Sequence, residues 1–220
     1  MLVQIALFDG FDPLDVIGPY EVLHAAGLFT DGGVRAELAC AEGPREVPSG
    51  VPPVTLTATR PLDPARADVL VVPGAAGFLT ERPGRPDTET IDGHLARALE
   101  TGLPRLAAEA MAREDTLVAT VCGGSLLLAL AGLTKGRPCT GHGLTPDALR
   151  EHGAVPVDAR VVDDGDLVTG AGVTSGLDLA LHLVDREIGP RVAHAVEALF
   201  AHERRGTVWS TRGKAPVAAL

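Results

Sequence analysis

The chain of 220 residues carries a formal net charge of -10, with 19 Lys and Arg against 29 Asp and Glu. Phosphate contacts need clustered Lys and Arg, so this balance argues against a nucleic-acid binder. Hydrophobic residues make up 45% of the chain and aromatic residues only 3%, which predicts a soluble globular protein with a core of mainly Ala, Val and Leu.

The three cysteines, Cys40, Cys122 and Cys139, form an odd set in a chain without a recognisable secretory signal. We therefore expect structural or catalytic thiols in a reducing cytoplasm. No apolar run approaches the roughly 18 residues of a membrane span, so no membrane partner is expected.

Short apolar runs alternate with helix-like segments in the first half of the chain. A first helix is predicted to start at Gly18-Pro19, with Pro19 in the first helical position. A loop rich in Gly and Pro is predicted over 77–87, followed by one helix over about 89–112. Strands are predicted over residues 2–8, 34–41 and 69–72.

In the second half, a strand over 116–121 leads into Cys122, and leucines at helical spacing follow it. Two further strands, 157–162 and 167–169, are predicted to form a hairpin around an acidic turn. Two closing helices are predicted over 175–188 and 190–204. We predict one domain over 1–205 and a loosely ordered tail over 206–220.

This alternation predicts an α/β fold with a mostly parallel sheet and helices on both faces. Ligands of such sheets bind outside the carboxyl ends of the strands. Asp15, Gly74 and Cys122 each follow a predicted strand end, so the topology can bring them together at one edge.

The segment Thr120-Val121-Cys122-Gly123-Gly124 places a cysteine at a tight turn between strand and helix. Free N–H groups and the dipole at a helix start favour thiolate over thiol, and two glycines permit the tight path. This is the arrangement of a nucleophile elbow, with Cys122 as the nucleophile. The alternative is that Cys122 is a buried small hydrophobic residue.

Asp15 has two interpretations of comparable weight. It is either a carboxylate stabilised by the start of the first helix or an acid/base group that faces the Cys122 sulfur. In the second case, burial and the neighbouring thiolate raise its pKa. Backbone N–H groups near Gly74, Ala75 and Gly123 are candidates for an anion-stabilising pocket, although the segment after Val72 also fits an ordinary turn.

His142 is a candidate accessory residue that could pair with Cys122, but a structural or surface histidine fits equally well. Cys139-x-x-His142 is half of a zinc motif without a second half. The acidic turn 163–166 lacks the spacing of a calcium loop. No metal and no cofactor is predicted.

Six stretches, in order along the chain, resemble the ThiJ/PfpI superfamily of class I glutamine-amidotransferase-like proteins, and within it most of all the isonitrile hydratases. They are Phe11 to Pro19 (FDPLDVIGP), Val71 to Gly74 (VVPG), Thr120 to Leu128 (TVCGGSLLL), Ala131 to Leu133 (AGL) with Thr140 to His142 (TGH), and Thr169 to Asp178 (TGAGVTSGLD).

The resemblance implies a flavodoxin-like fold, Cys122 as nucleophile, Asp15 as acid/base, backbone donors at Gly74, Ala75 and Gly123, and a homodimer. Isonitrile hydratases typically carry threonine where this chain has Gly123; Ser125 is a candidate to supply a nearby hydroxyl instead. Protease and glyoxalase-like members often place histidine there, so Gly123 disfavours those activities.

The function expected is hydration of an isonitrile, a small-molecule substrate, to an N-substituted formamide through a cysteine thioimidate. Two alternatives stay open. One is another cysteine-dependent hydrolase or lyase of the superfamily, and the other is a redox or metabolite sensor that uses the same thiol.

Overall fold

The computed structural model describes residues 1–79, 89–215 and 217, which form both strands and helices. The strands are β1 Leu2–Leu7, β2 Arg35–Cys40, β3 Arg45–Pro48, β4 Thr55–Ala58, β5 Arg60–Pro61, β6 Val69–Val72, β7 Leu117–Val121, β8 Pro138–Cys139, β9 Val155–Pro156, β10 Val161–Asp163, β11 Leu167–Gly170 and β12 Trp209–Ser210. The helices are α1 Pro13–Phe29, α2 Ile91–Leu99, α3 Leu103–Met111, α4 Gly124–Leu130, α5 Pro146–Glu151, α6 Ser175–Glu187 and α7 Pro190–Phe200.

The main sheet has the strand order β12-β10-β11-β7-β6-β1-β2-β5. Every neighbouring pair in it is parallel except β10 with β11. Residues of β1, β6, β7 and β11 are buried along their whole length, as expected where helices cover both faces. The predicted α/β class and mostly parallel sheet are confirmed, and the order β2-β1-β6-β7-β11 is the flavodoxin-like one.

The helices fall into two packed groups. Helix α1 packs against α6 and α7, whereas α2 packs against α3 and α4. The crossover through α1 runs from β1 outward to β2, and the crossover through α2 and α3 runs the other way, from β6 to β7. Because parallel crossovers are right-handed, opposite directions put the two groups on opposite faces.

Helix α1 begins five residues earlier than predicted, so the expected start at Gly18-Pro19 is wrong. Asp12 caps the helix, since its Oδ1 accepts a hydrogen bond of 2.9 Å from the Leu14 N–H, and Pro13 takes the first-turn position expected of Pro19. Pro19 instead lies inside the helix, where it cannot donate to the Asp15 carbonyl. Asp15 is therefore in the first turn of α1.

Two other boundaries differ from the predictions. In place of the single helix predicted over 89–112, the structure has two helices, α2 and α3. A break over 100–102 separates them. The hairpin strands are 161–163 and 167–170, so the first strand begins four residues later than predicted. The turn follows Asp163, whose carboxylate accepts a hydrogen bond of 2.9 Å from the Gly165 N–H. Most of the loop predicted over 77–87 lies outside the described residues.

Part of the predicted loose tail is attached to the sheet. Strand β12 pairs in parallel with β10, and the Arg205 N–H just before it donates to Asp178 at 2.8 Å. Residues 216 and 218–220 lie outside the described part. Among the helices that the described residues form, none is both long and apolar enough to cross a bilayer.

Candidate active site

Cys122 occupies a constrained turn between β7 and α4. Its φ of 56° lies in the left-handed region, which costs a residue with a side chain about 1–3 kcal/mol. The turn is anchored to the end of β11, because the Cys122 backbone N–H is shared between the carbonyls of Gly170 at 3.1 Å and Ala171 at 2.9 Å. The predicted strand–cysteine–helix turn is present, with Cys122 at its sharpest point.

The two glycines after Cys122 are not equivalent. A Cβ on Gly124 would lie 2.2 Å from the Val72 carbonyl oxygen, so the approach of α4 to β6 requires glycine there. A Cβ on Gly123 would meet nothing closer than Gly74 Cα, at 3.4 Å. The tight path therefore depends on Gly124, whereas the position of Gly123 has room for a side chain.

The Asp15 side chain is fully buried and points to the same turn. Its Oδ2 accepts a hydrogen bond of 2.8 Å from the Gly74 N–H. Its Oδ1 is buried without a well-formed hydrogen bond in the described structure, although the Cys122 thiol interacts with the carboxyl group. The fold thus brings together Asp15, Gly74 and Cys122, which are far apart in the sequence.

Burial raises the pKa of Asp15 to about 8, and the negative charge of Asp12 adds to this; the hydrogen bond from Gly74 opposes the shift. The carboxyl group therefore holds a proton at neutral pH. Since Oδ2 accepts from Gly74, that proton belongs on Oδ1, the oxygen that is free to serve the thiol or a substrate.

The pKa of Cys122 is also raised, which contradicts the expected preference for thiolate. Burial is the main cause, and the charge of Asp15 is the next, whereas the Gly123 N–H lowers the pKa by a smaller amount. The start of a short helix is too weak to overcome the loss of hydration, because Cys122 is only 6% exposed. The resting pair is a neutral thiol beside a neutral carboxyl group.

A cleft of about 420 Å³ opens at Cys122. Apolar side chains and backbone make up most of its wall, together with Asp12, Asp92 and the half-buried His142. A larger depression of about 670 Å³ lies at the amino ends of β6 and β7, the edge where open parallel sheets do not bind ligands. The cleft at Cys122 is therefore the candidate active site.

His142 lines this cleft, but the hydrogen bonds that it makes to described residues hold the local backbone together. The backbone N–H of His142 donates to the Cys122 carbonyl at 3.3 Å, and its ring Nδ1 accepts from the Leu144 backbone N–H at 3.2 Å. The loop that carries His142 thus supports the Cys122 turn.

The Ser125 hydroxyl does not reach the cleft. It is buried, and its Oγ lies 2.6 Å from Thr120 Oγ1 and 2.6 Å from the Thr140 carbonyl, to which it must donate because a carbonyl only accepts. Ser125 therefore cannot supply the hydroxyl that the sequence suggested.

Ala75 and Gly123 bring backbone donors to the cleft. Ala75 N lies 3.7 Å from where a Cβ on Gly123 would be, and its N–H has no acceptor among the described residues. Asp12 and Asp92 were missed as cleft residues by the sequence analysis, although Asp12 carries the local signal of a helix N-cap before Pro13. In the described part of the chain, no three His, Cys, Asp or Glu side chains converge on a possible metal site.

Comparison with known proteins relates the chain to one family. Residues 97–186 match the DJ-1/PfpI family. Over 206 residues the chain is 34% identical to the isonitrile hydratase of Pseudomonas putida, covering 90% of this chain and 77% of that protein. A shorter match of 98 residues, 35% identical, covers 44% of this chain and 27% of the HTH-type transcriptional regulator GbdR of Pseudomonas aeruginosa.

The fold agrees with these relatives. The crystal structure of a ThiJ/PfpI family protein from Pseudomonas syringae superposes with a TM-score of 0.73 at 29% identity, covering 93% of this chain and 76% of that one. The strand order, the cysteine turn and the sequence matches agree: the chain belongs to the DJ-1/PfpI (ThiJ/PfpI) family.

Proposed function

We propose that this protein is a cysteine-dependent enzyme that hydrates an isonitrile to an N-substituted formamide. One observation carries the proposal: a buried carboxyl group that holds its proton at neutral pH lies beside the thiol at the end of an apolar cleft. The similarity to the P. putida isonitrile hydratase over 90% of the chain supports the choice of substrate.

In the first step, the Cys122 sulfur forms a bond to the terminal carbon of R–N≡C. That carbon takes the proton from Asp15 Oδ1, and the thiol proton passes to the vacated oxygen. The product is the thioimidate R–N=CH–S, and Asp15 ends the step neutral. A thiol of raised pKa can react in this way because the carboxyl group accepts its proton as the sulfur attacks.

In the second step, water adds across the C=N bond. Asp15 delivers a proton to nitrogen and receives one from water, which gives R–NH–CH(OH)–S. Collapse of this adduct forms the formamide carbonyl, breaks the C–S bond and returns the hydroxyl proton to sulfur through Asp15. Protons and atoms balance over the cycle, and Cys122 and Asp15 end as they began.

The backbone supplies the remaining polar contacts. The N–H groups of Ala75 and Gly123 stabilise partial negative charge on sulfur and on the adduct oxygen, as preorganised donors do in acyl transfer. The apolar wall holds the substituent R and keeps bulk water from the reacting carbon.

The raised pKa of Cys122 makes oxidation sensing the weaker alternative. Peroxide oxidises the thiolate, and redox-sensor cysteines have a low pKa and are accessible. Cys122 has the opposite properties, with 6% exposure and a raised pKa.

The test is incubation of the purified protein with an aliphatic isonitrile and detection of the formamide by NMR. We expect turnover by the wild type, at least 1,000-fold less by Cys122→Ala, and strong loss in Asp15→Asn, whose amide oxygen still accepts from Gly74 but cannot relay a proton. Cys139→Ala is the matched control, because that thiol is buried away from the cleft and its loss leaves turnover unchanged. Formamide production by Cys122→Ala at the wild-type rate would refute the proposal.

A further inference from the structure

We propose that Asp12 is a specificity-determining residue, whose carboxylate beside Cys122 directs the cleft toward uncharged or cationic substrates and against substrates with a negative charge near the reacting carbon. The inference rests on the proposed function only in taking Cys122 as the reacting group.

The position of Asp12 is fixed by the fold. Its Oδ1 caps α1 through the 2.9 Å bond from Leu14, and its N–H donates to the Gly74 carbonyl at 2.9 Å. The residue is half-buried and lines the same cleft as Cys122. A carboxylate held at both backbone and side chain cannot swing away when a substrate enters.

The charge of Asp12 already acts on the reacting pair. It is among the causes that raise the pKa of Asp15 and of Cys122, so its field reaches both groups. A substrate whose reacting carbon contacts Cys122 lies within the same field.

The rest of the described wall does not offset this charge. Asp92, in the first turn of α2, adds a second carboxylate, and His142 is the one other titratable side chain besides Cys122 among the described residues of the wall. Asp15 lies behind the thiol and holds its proton at neutral pH. The described lining therefore presents net negative charge to an entering molecule.

Alkylation of Cys122 by matched reagents measures this field directly. Iodoacetamide and iodoacetate each form an S–CH₂ bond with loss of iodide, and they differ in the charge beside the reacting carbon. The ratio of their two rate constants cancels the fraction of thiolate, because both reagents need the same thiolate. The raised pKa of Cys122 slows both reagents equally. Cys40 and Cys139 are fully buried and do not line the cleft, so intact mass after long incubation reports labelling at Cys122, with Cys122→Ala as the blank.

Asp12→Asn is the informative variant, because an asparagine oxygen still accepts the capping bond and only the charge is lost. We expect the ratio of iodoacetamide to iodoacetate rates to fall by about three- to tenfold at low salt relative to the wild type, and the difference to shrink at 0.5 M NaCl. When the cationic reagent 2-bromoethylammonium replaces iodoacetate, the ratio of the iodoacetamide rate to its rate is expected to rise in Asp12→Asn. Asp12→Ser, a second uncharged cap, gives the same fall if the charge is the cause.

Asp115→Asn is the control for net charge. Asp115 is exposed and lies before the start of β7, whereas Cys122 follows its end, about 20 Å away at the rise of a strand. Its removal is expected to leave the ratio nearly unchanged, because the Coulomb energy between charges about 20 Å apart through water is small even at low salt. An unchanged ratio in both Asp12 variants overturns the proposal, and an equal fall in Asp115→Asn does so too.

This experiment separates the inference from the proposed function. If the wild type shows no isonitrile turnover but the ratio still falls in Asp12→Asn, the reaction is wrong and the assignment of Asp12 stands. If isonitriles are hydrated and the ratio does not change, Asp12 has no role in selection.

Discussion

The charge of the Asp15 carboxylate opposes ionisation of the neighbouring Cys122 thiol. Burial raises the pKa of both groups, and the negative charge of Asp15 raises the pKa of Cys122 further, whereas the hydrogen bond from the thiol lowers the pKa of Asp15 by a smaller amount. The pair is therefore neutral at rest. In the proposed mechanism the acid and the thiol exchange protons, and a preformed thiolate is not required.

The stability of the protein should depend on pH through Asp15. Its pKa is about 8 in the fold against 3.8 for the unperturbed group, so between these values the folded protein holds a proton that the unfolded chain has lost. The contribution is fully present below about pH 4 and is lost as the pH rises to about 8, by at most about 1.4 kcal/mol per pH unit.

Asp15→Asn removes this term. The free energy of unfolding is measured in urea for both proteins. The value for the variant minus the value for the wild type is expected to rise steadily between pH 5 and pH 8. Parallel curves for the two proteins would show that Asp15 ionises normally in the fold.

Catalysis should depend on the same proton. With an isonitrile, which does not itself ionise, kcat/KM is expected to fall above about pH 8, where Asp15 loses the proton it donates. Asp12→Asn removes a charge that raises this pKa, so the fall moves to lower pH. A profile that instead rises with a thiol ionisation through pH 9 contradicts the proton relay.

Gly74 should be intolerant of any side chain. A Cβ there would lie 2.5 Å from Gly123 N and 2.9 Å from Asp15 Oδ2, so it separates the turn from the carboxyl group. Gly74→Ala is expected to lower turnover at least 100-fold and to destabilise the fold by about 1–3 kcal/mol. Gly143→Ala is the matched control, since a Cβ at Gly143 meets nothing within 4 Å. Equal turnover in the two variants would contradict this geometry.

Ser125 should matter for stability and much less for chemistry. Ser125→Ala leaves the Thr140 carbonyl and the Thr120 hydroxyl without their partner in a buried site, which costs about 1–3 kcal/mol in unfolding experiments. Turnover is expected to stay within a few-fold of the wild type at a temperature where the variant is folded. A loss of turnover as large as that of Asp15→Asn would place the hydroxyl in the chemistry.

The sequence was informative where one strong local pattern decided the structure. The short apolar runs of β1, β6 and β7 predicted buried strands, and their alternation with helix-like segments predicted the parallel sheet and the edge where the candidate site lies. The start of α1 was misjudged because Pro13 and Pro19 both suit a first turn, and Asp12 decided between them as the cap.

The electrostatics of the site were beyond a local pattern. Cys122 follows a strand and precedes a helix in the sequence, which predicts a low pKa, but the pKa depends on how deeply the turn is buried and on the charge of Asp15. Both are consequences of tertiary packing. The same holds for Ser125, whose hydroxyl is taken up by Thr120 and Thr140 across a strand end and a loop.

The most direct measurement is mass spectrometry of the enzyme quenched in acid during turnover of an isonitrile. We predict a mass increase equal to that of the intact isonitrile, mapped to Cys122, in the wild type and none in Cys122→Ala. Formamide that accumulates without any adduct on Cys122, at a rate that Cys122→Ala matches, would contradict covalent catalysis by this thiol.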